Sequence, residues 1–207
     1  MRRLPGAAVL GLAYLVGSIP FSNVAARRAR GMDLREVGTG TVSGSALYGV
    51  AGFVPLAVAG SLDVAKGAVG PVLAGRDRPA LAALAGGAAV AGHDWSPFLG
   101  GAGGRGVSPA MGALAVNGWS GVAVLAAGLA GGRLARRTSL GCFLSYLVLV
   151  PVLALTDGRR GALAGTAVLA PILVKRLLGN APPPSGRARA RVLFNRLVHD
   201  QDHPTTP

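Results

Sequence analysis

The 207-residue chain has little of what a water-soluble enzyme relies on: charged residues make up 14%, aromatic residues 5%, and there is a single cysteine. So little charge beside 51% hydrophobic residues and a mean hydropathy of +0.49 excludes an ordinary soluble domain. The same surplus of apolar residues excludes a disordered chain, which fails to collapse because it lacks them. With Cys142 alone, no intrachain disulfide or multi-cysteine zinc site can be assembled, and no other spacing suggests a metal. Few aromatics leave no stacking platform for nucleic acid, and the formal charge of +13 lies in ones, twos and threes between apolar segments, as membrane-flanking charge does. Nucleic acid is therefore excluded as a partner and membrane lipids are expected. Lysine is nearly missing as well, with only Lys66 and Lys175 among 21 basic residues.

What is abundant is apolar sequence, with 33 glycines distributed through it. Residues 4–26 are long enough to cross a bilayer core of about 30 Å and too long for the apolar region of a cleaved signal peptide, although Gly17-Ser18-Ile19-Pro20 interrupts them. Further segments cover 46–62, continuing through Asp63 and Lys66 to Ala74, then 80–91, 107–129, 140–155 and 161–178. These predict an all-α, polytopic integral membrane protein with five to seven transmembrane or re-entrant helices. Residues 1–179 form one membrane domain, and 180–207 form a Pro/Arg-rich C-terminal tail. A solvated tail is favoured there over a short amphipathic helix lying on an anionic membrane surface. Basic clusters on competing loops leave the orientation open, and composition sets no oligomeric state.

Polar sequence is confined mostly to two glycine-rich loops. In the first, Gly38, Thr39, Gly40, Thr41, Ser43 and Ser45 offer backbone N–H groups and hydroxyls; in the second, Gly103, Gly104 and Gly106 surround Arg105. Glycines let successive amides converge on an anion, and arginine suits phosphate oxygens, so these loops are the candidate phosphate sites. Asp63 and Lys66, three residues apart, share a helix face. They are either a structural ion pair or the mark of a site, since charge in an apolar region is costly unless paired or used. His93 before Asp94 has two readings as well, a general base or an interfacial structural histidine.

The order of these motifs resembles the acyl-phosphate:glycerol-3-phosphate acyltransferases, the PlsY-type membrane family. Ala13 to Pro20 is similar to the family's opening helix, and Asp33-Leu34-Arg35 leading to Gly38-Thr39-Gly40 to its first signature. Asp63-Val64-Ala65-Lys66-Gly67 matches an Asp-x-x-Lys-Gly motif, and Gly92-His93 followed by Gly103-Gly104-Arg105-Gly106-Val107 resembles Gly-His and Gly-Gly-Lys-Gly-Val. Ser139 matches a further family position. The resemblance implies acyl transfer from acyl phosphate to glycerol 3-phosphate in phospholipid synthesis, at the bacterial inner membrane, without a cofactor. It further implies that Arg35, Lys66 or Arg105 offset anionic charge, with His93 among the catalytic residues and Asp63, Ser139 and the glycine loops holding phosphate.

The chain departs from the family pattern in several places. Thr41 to Gly49 carries no cation where the family has an arginine, and Ala102 stands for a lysine. Ala170 and Leu173 occupy positions of a histidine and an asparagine. These departures leave two other readings beside the enzyme: a paralogue that binds a lipid phosphate or a protein without catalysing the reaction, and a small membrane transporter.

Overall fold

Residues 3–180, 185–186 and 188–201 are described by a computed structural model, and every regular element among them is helical. In chain order these are α1 (Gly6–Gly17), α2 (Phe21–Arg30), α3 (Gly44–Ala51), α4 (Phe53–Ala74), α5 (Pro79–Asp94), α6 (Val107–Asn117), α7 (Trp119–Leu134), α8 (Thr138–Leu178) and α9 (Ala188–His199). Short 3₁₀ turns lie at Leu34–Glu36 and Pro97–Leu99. Three stretches are long and apolar enough to cross a membrane, Gly6–Arg30, Phe53–Ala74 and Thr138–Leu178, and α6 and α7 are shorter apolar helices. Their outward faces carry large apolar side chains, with Val54 72% and Leu155 87% exposed. In water such a surface would be a liability, and in lipid it is the solvent-facing side.

The first apolar run is two helices. Pro20 lacks an N–H and the chain turns at Ser18–Pro20, which frees carbonyls that a bilayer cannot solvate. Protein donors satisfy them: Ser96 Oγ donates to the Ser18 carbonyl at 2.7 Å and Lys66 Nζ to the Ile19 carbonyl at 2.7 Å. The second run is also divided, between α3 and α4, at Gly52 with φ 81°. The run from Val107 is divided between α6 and α7 at Gly118. Within α8, Gly158 has φ 61° and ψ −148° and reverses the chain. A side chain on Gly165 would meet Leu153 and Val150, so the halves on either side of Gly158 fold back on one another. These are the separate fifth and sixth segments that the sequence predicts.

Small residues let the helices approach closely. A Cβ on Gly17 would overlap the Ala89 backbone, one on Gly67 the Pro109 carbonyl, and one on Gly112 the Val64 carbonyl. Helix association in lipid lacks the hydrophobic drive available in water and depends on such contacts. The C-terminal segment corrects the expectation of a solvated tail, because residues 188–199 form α9 and dock on the end of α8. The last carbonyls of α8 need donors. Arg196 Nη1 donates to the Leu178 carbonyl at 2.6 Å, while Arg176 Nη1 donates in return to the Leu197 carbonyl at 2.8 Å. Val192, Asn195 and Arg196 are buried by the docking.

Candidate functional site

The two glycine loops lie side by side. Gly104 N donates to the His93 carbonyl at 3.1 Å and Val42 N to the Gly103 carbonyl at 3.0 Å, so the second loop is clamped between the end of α5 and the first loop. Close approach is what the glycines provide. A Cβ on Gly103 would overlap the His93 and Asp94 carbonyls, one on Gly104 would overlap the His93 imidazole, and Gly106 has φ 70°. Gly40, at φ 67°, has its carbonyl bonded by Asn180 Nδ2 at 3.0 Å. Ser43 caps α3 by accepting from Ala46 N at 3.3 Å, and Thr39 Oγ1 donates to Thr41 Oγ1 at 3.0 Å.

Beside this clamp opens a cavity of ≈ 1050 Å³. Of the residues singled out in the sequence, Gly38, Thr39, Thr41, Ser43, Ser45, Asp63, His93, Arg105, Gly106 and Ser139 line it. Gly40, Gly103 and Gly104 shape the loops from behind and are not in its wall. Apolar side chains, among them Leu56, Met111 and Leu129, complete the lining.

Lys66 and Arg35 stand apart from this cavity. Lys66 is 3% exposed and pairs with Asp63 Oδ1 at 2.7 Å while bonding the Ile19 carbonyl. Asp63 Oδ2 accepts from Ser22 Oγ at 3.0 Å. The pair thus staples α4 to the break between α1 and α2, and Asp63 extends from that staple to the cavity wall. His93 Nδ1 lies 3.8 Å from Asp63 Oδ1, beyond hydrogen-bond length. Arg35 is engaged by its own loop and by the Pro97–Leu99 turn: Nη2 donates to Asp33 Oδ2 at 2.7 Å and Nη1 to the Leu99 carbonyl at 3.4 Å. Asp33 also pairs with Arg27 and accepts from Arg35 N at 3.0 Å. The hydrogen bond from Arg35, aided by Arg27, holds the Asp33 carboxyl well below the usual carboxylate range, and the same pairing raises Arg35.

Other polar residues also reach the cavity, among them Arg133, Tyr146, Arg176 and Asp200. The Arg133 guanidinium, from the last turn of α7, stacks over the Tyr48 ring at 4.6 Å. Arg176 lies 5.2 Å from the Tyr146 ring and donates through Nη2 to the Ser139 carbonyl at 2.9 Å. Asp200 Oδ1 lies 2.6 Å from Arg105 Nε. Arg133 falls in a basic run that reads as membrane-flanking charge, and Asp200 lies in a segment without motif, so only the fold brings them here. Ala170 and Leu173 are not part of the wall, to which the second half of α8 contributes Arg176.

A cavity holding three arginines, a hydroxyl loop and an apolar wall within a membrane fold suits a phosphorylated amphiphile. Comparison with known proteins agrees. The sequence profile of the glycerol-3-phosphate acyltransferase family matches residues 7–181. The chain belongs to the glycerol-3-phosphate acyltransferase family. It is 35% identical over 189 residues to the glycerol-3-phosphate acyltransferase of Synechococcus sp. (strain CC9902), covering 86% of this chain and 94% of that one. With the enzyme of Chlorobaculum tepidum (strain ATCC 49652 / DSM 12025 / NBRC 103806 / TLS) it shares 37% identity over 120 residues, 52% of each chain. The fold matches the crystal structure of PlsY (YgiH), an integral membrane glycerol 3-phosphate acyltransferase in its glycerol 3-phosphate form. That match has a TM-score of 0.72 and 26% identity and covers 91% of this chain and 98% of that one. This acyltransferase is accordingly an integral multi-pass membrane protein that transfers an acyl group to glycerol 3-phosphate.

Proposed function

We propose that the acyl donor is an acyl phosphate, that the product is lysophosphatidic acid, and that the reaction takes place in a bacterial inner membrane. The observation that carries this reading is one cavity with two kinds of wall. Arg105, Arg133 and Arg176 stand with the hydroxyls of Thr39, Thr41, Ser43 and Ser45, while Leu56, Met111 and Leu129 give an apolar side for an acyl chain.

The chemistry asks for little more. A glycerol 3-phosphate hydroxyl oxygen bonds to the acyl carbon, and the bond from that carbon to the phosphate oxygen breaks. Phosphate is a good leaving group, so the demand on the protein is to bring two mutually repelling anions into line and to stabilise charge as it develops. Arginines and hydroxyls do this without a cofactor. Arg105 and Arg133 are the phosphate cations, and His93, which lines the wall, takes the hydroxyl proton. Convergence of these groups on a single cavity favours a phosphate site over a transport path. The Arg133 guanidinium, held over Tyr48, supplies the charge that the first loop lacks.

The test is release of inorganic phosphate from palmitoyl phosphate by purified, detergent-solubilised protein, with and without glycerol 3-phosphate. Acceptor-dependent release that falls about a hundredfold in Arg105→Ala is expected, the scale for removing one charge-stabilising donor. Release that ignores the acceptor, or none at all, overturns the proposal.

A further inference from the structure

The family profile ends at residue 181, yet the segment beyond it reaches into the cavity. α9 is fixed against α8 by the reciprocal bonds of Arg176 and Arg196 described above, with its own Asn195 and Arg196 buried. At its end Asp200 N donates to the Arg196 carbonyl at 3.0 Å, and Asp200 itself takes φ 55°, in the left-handed region. Aspartate is one of the few residues with a side chain that enters this region readily. The turn places the carboxylate in the cavity wall, with Oδ1 2.6 Å from Arg105 Nε. Arg105 is largely buried, its side chain 14% exposed, and neither Nε, in ion-pair contact with Asp200, nor Nη1 makes a hydrogen bond among the described residues.

From this geometry we infer that Asp200 is a tethered anion standing where a substrate phosphate meets Arg105, so that the C-terminal helix sets the affinity of that phosphate subsite. The carboxylate neutralises one edge of the guanidinium and leaves Nη1 unused. An incoming phosphate, with more oxygens and more charge, displaces Asp200 from Nε and satisfies Nη1 as well. Its binding is weakened by whatever the Asp200 contact is worth, because the two anions compete for one cation. The ligand class is a phosphate monoester or acyl phosphate, the phosphorylated substrates of the established reaction. This inference rests on the reading of Arg105 as a phosphate cation.

The experiment compares KM for glycerol 3-phosphate and for palmitoyl phosphate, and inhibition by inorganic phosphate, in the full-length protein and in Asp200→Asn, Asp200→Glu and Arg105→Ala. Asparagine also tolerates the left-handed turn, so Asp200→Asn removes charge while keeping the cap. We expect KM for at least one phosphorylated substrate and the inhibition constant for phosphate to fall about tenfold in Asp200→Asn, and to return towards the parent values in Asp200→Glu. Unchanged or higher values in a normally folded Asp200→Asn protein overturn the inference. Should that variant fold poorly, phosphate inhibition in Asp200→Glu against Asp200→Ser decides the same point, since only the former keeps the competing charge. Full turnover in Arg105→Ala defeats the underlying reading of Arg105; loss of turnover there without a fall in KM in Asp200→Asn defeats the tethered anion alone.

Discussion

Lys66 offers a sharp way to separate architecture from chemistry. The residue is 3% exposed, and its ammonium lies 2.7 Å from Asp63 Oδ1 and donates to the Ile19 carbonyl at the break between α1 and α2. Replacing it by methionine keeps the stem and removes both interactions, leaving a buried carboxylate without its counter-charge and a carbonyl without a donor. Removing one partner of a buried pair costs about 3–5 kcal/mol, mostly through the charge left behind. At about 2–4 °C per kcal/mol for a chain of this size, the melting temperature in detergent should fall by roughly 6–20 °C. The double variant Asp63→Asn with Lys66→Met leaves no orphaned charge and should recover more than half of that loss. The assay is a thermal melt of purified protein followed by detection of the buried Cys142 thiol, with turnover measured well below the transition. A Lys66→Met protein as stable as the parent but without turnover would refute the staple and return Lys66 to the reaction.

Two further outcomes follow from the loops. Gly104→Ala places a methyl group on the His93 imidazole and forces the loop from the end of α5; turnover should fall at least tenfold with a smaller change in melting temperature, and an unchanged kcat/KM would disprove the clamp. Asp33→Asn should destabilise the protein by about 1 kcal/mol, the scale of a partly exposed charged hydrogen bond. Because the folded Asp33 titrates below its ordinary value of 3.8, its contribution is complete above that pH and is lost as the pH falls further. Parent and variant melts should therefore converge in acid, and a gap that widens below pH 3.8 would contradict the sign.

The helical membrane fold was legible because its signal is compositional: uncharged runs separated by glycine, proline and arginine leave few alternatives in a bilayer. Ser18 to Pro20 also announced the first helix break. The breaks at Gly52 and Gly118 were hidden, since one glycine within an apolar run has no distinctive local pattern and only φ 81° at Gly52 or the Leu153 side chain against Gly118 reveals the turn. Of the residues that motif order names, Thr39, Asp63, His93 and Arg105 line one cavity, whereas Arg35 and Lys66 do not. Motif order did not separate residues that face the cavity from those that build it. Gly103 and Gly104 sit in a phosphate-like signature yet are used for contact with α5, and Arg35 is consumed by Asp33. Charge alone does not tell a ligand cation from a brace; the partner does, and the partners lie far away in sequence.

That distinction also explains how the chain departs from the family's pattern and keeps a charged cavity. No cation lies between Thr41 and Gly49, but Tyr48 in that stretch presents its ring to Arg133 of α7. A guanidinium stacked on an aromatic face keeps its N–H edges available for an anion. A neighbouring helix thus contributes positive charge to the cavity that this loop also lines. Arg176 differs: its Nη1 and Nη2 are engaged by the Leu197 and Ser139 carbonyls, so it holds parts of the wall in place. Phosphate recognition requires positive charge and donors around an oxygen cluster, and those can enter from any helix that borders it. Motif spacing records only one such arrangement, whereas the fold brings together cations that lie far apart in the sequence.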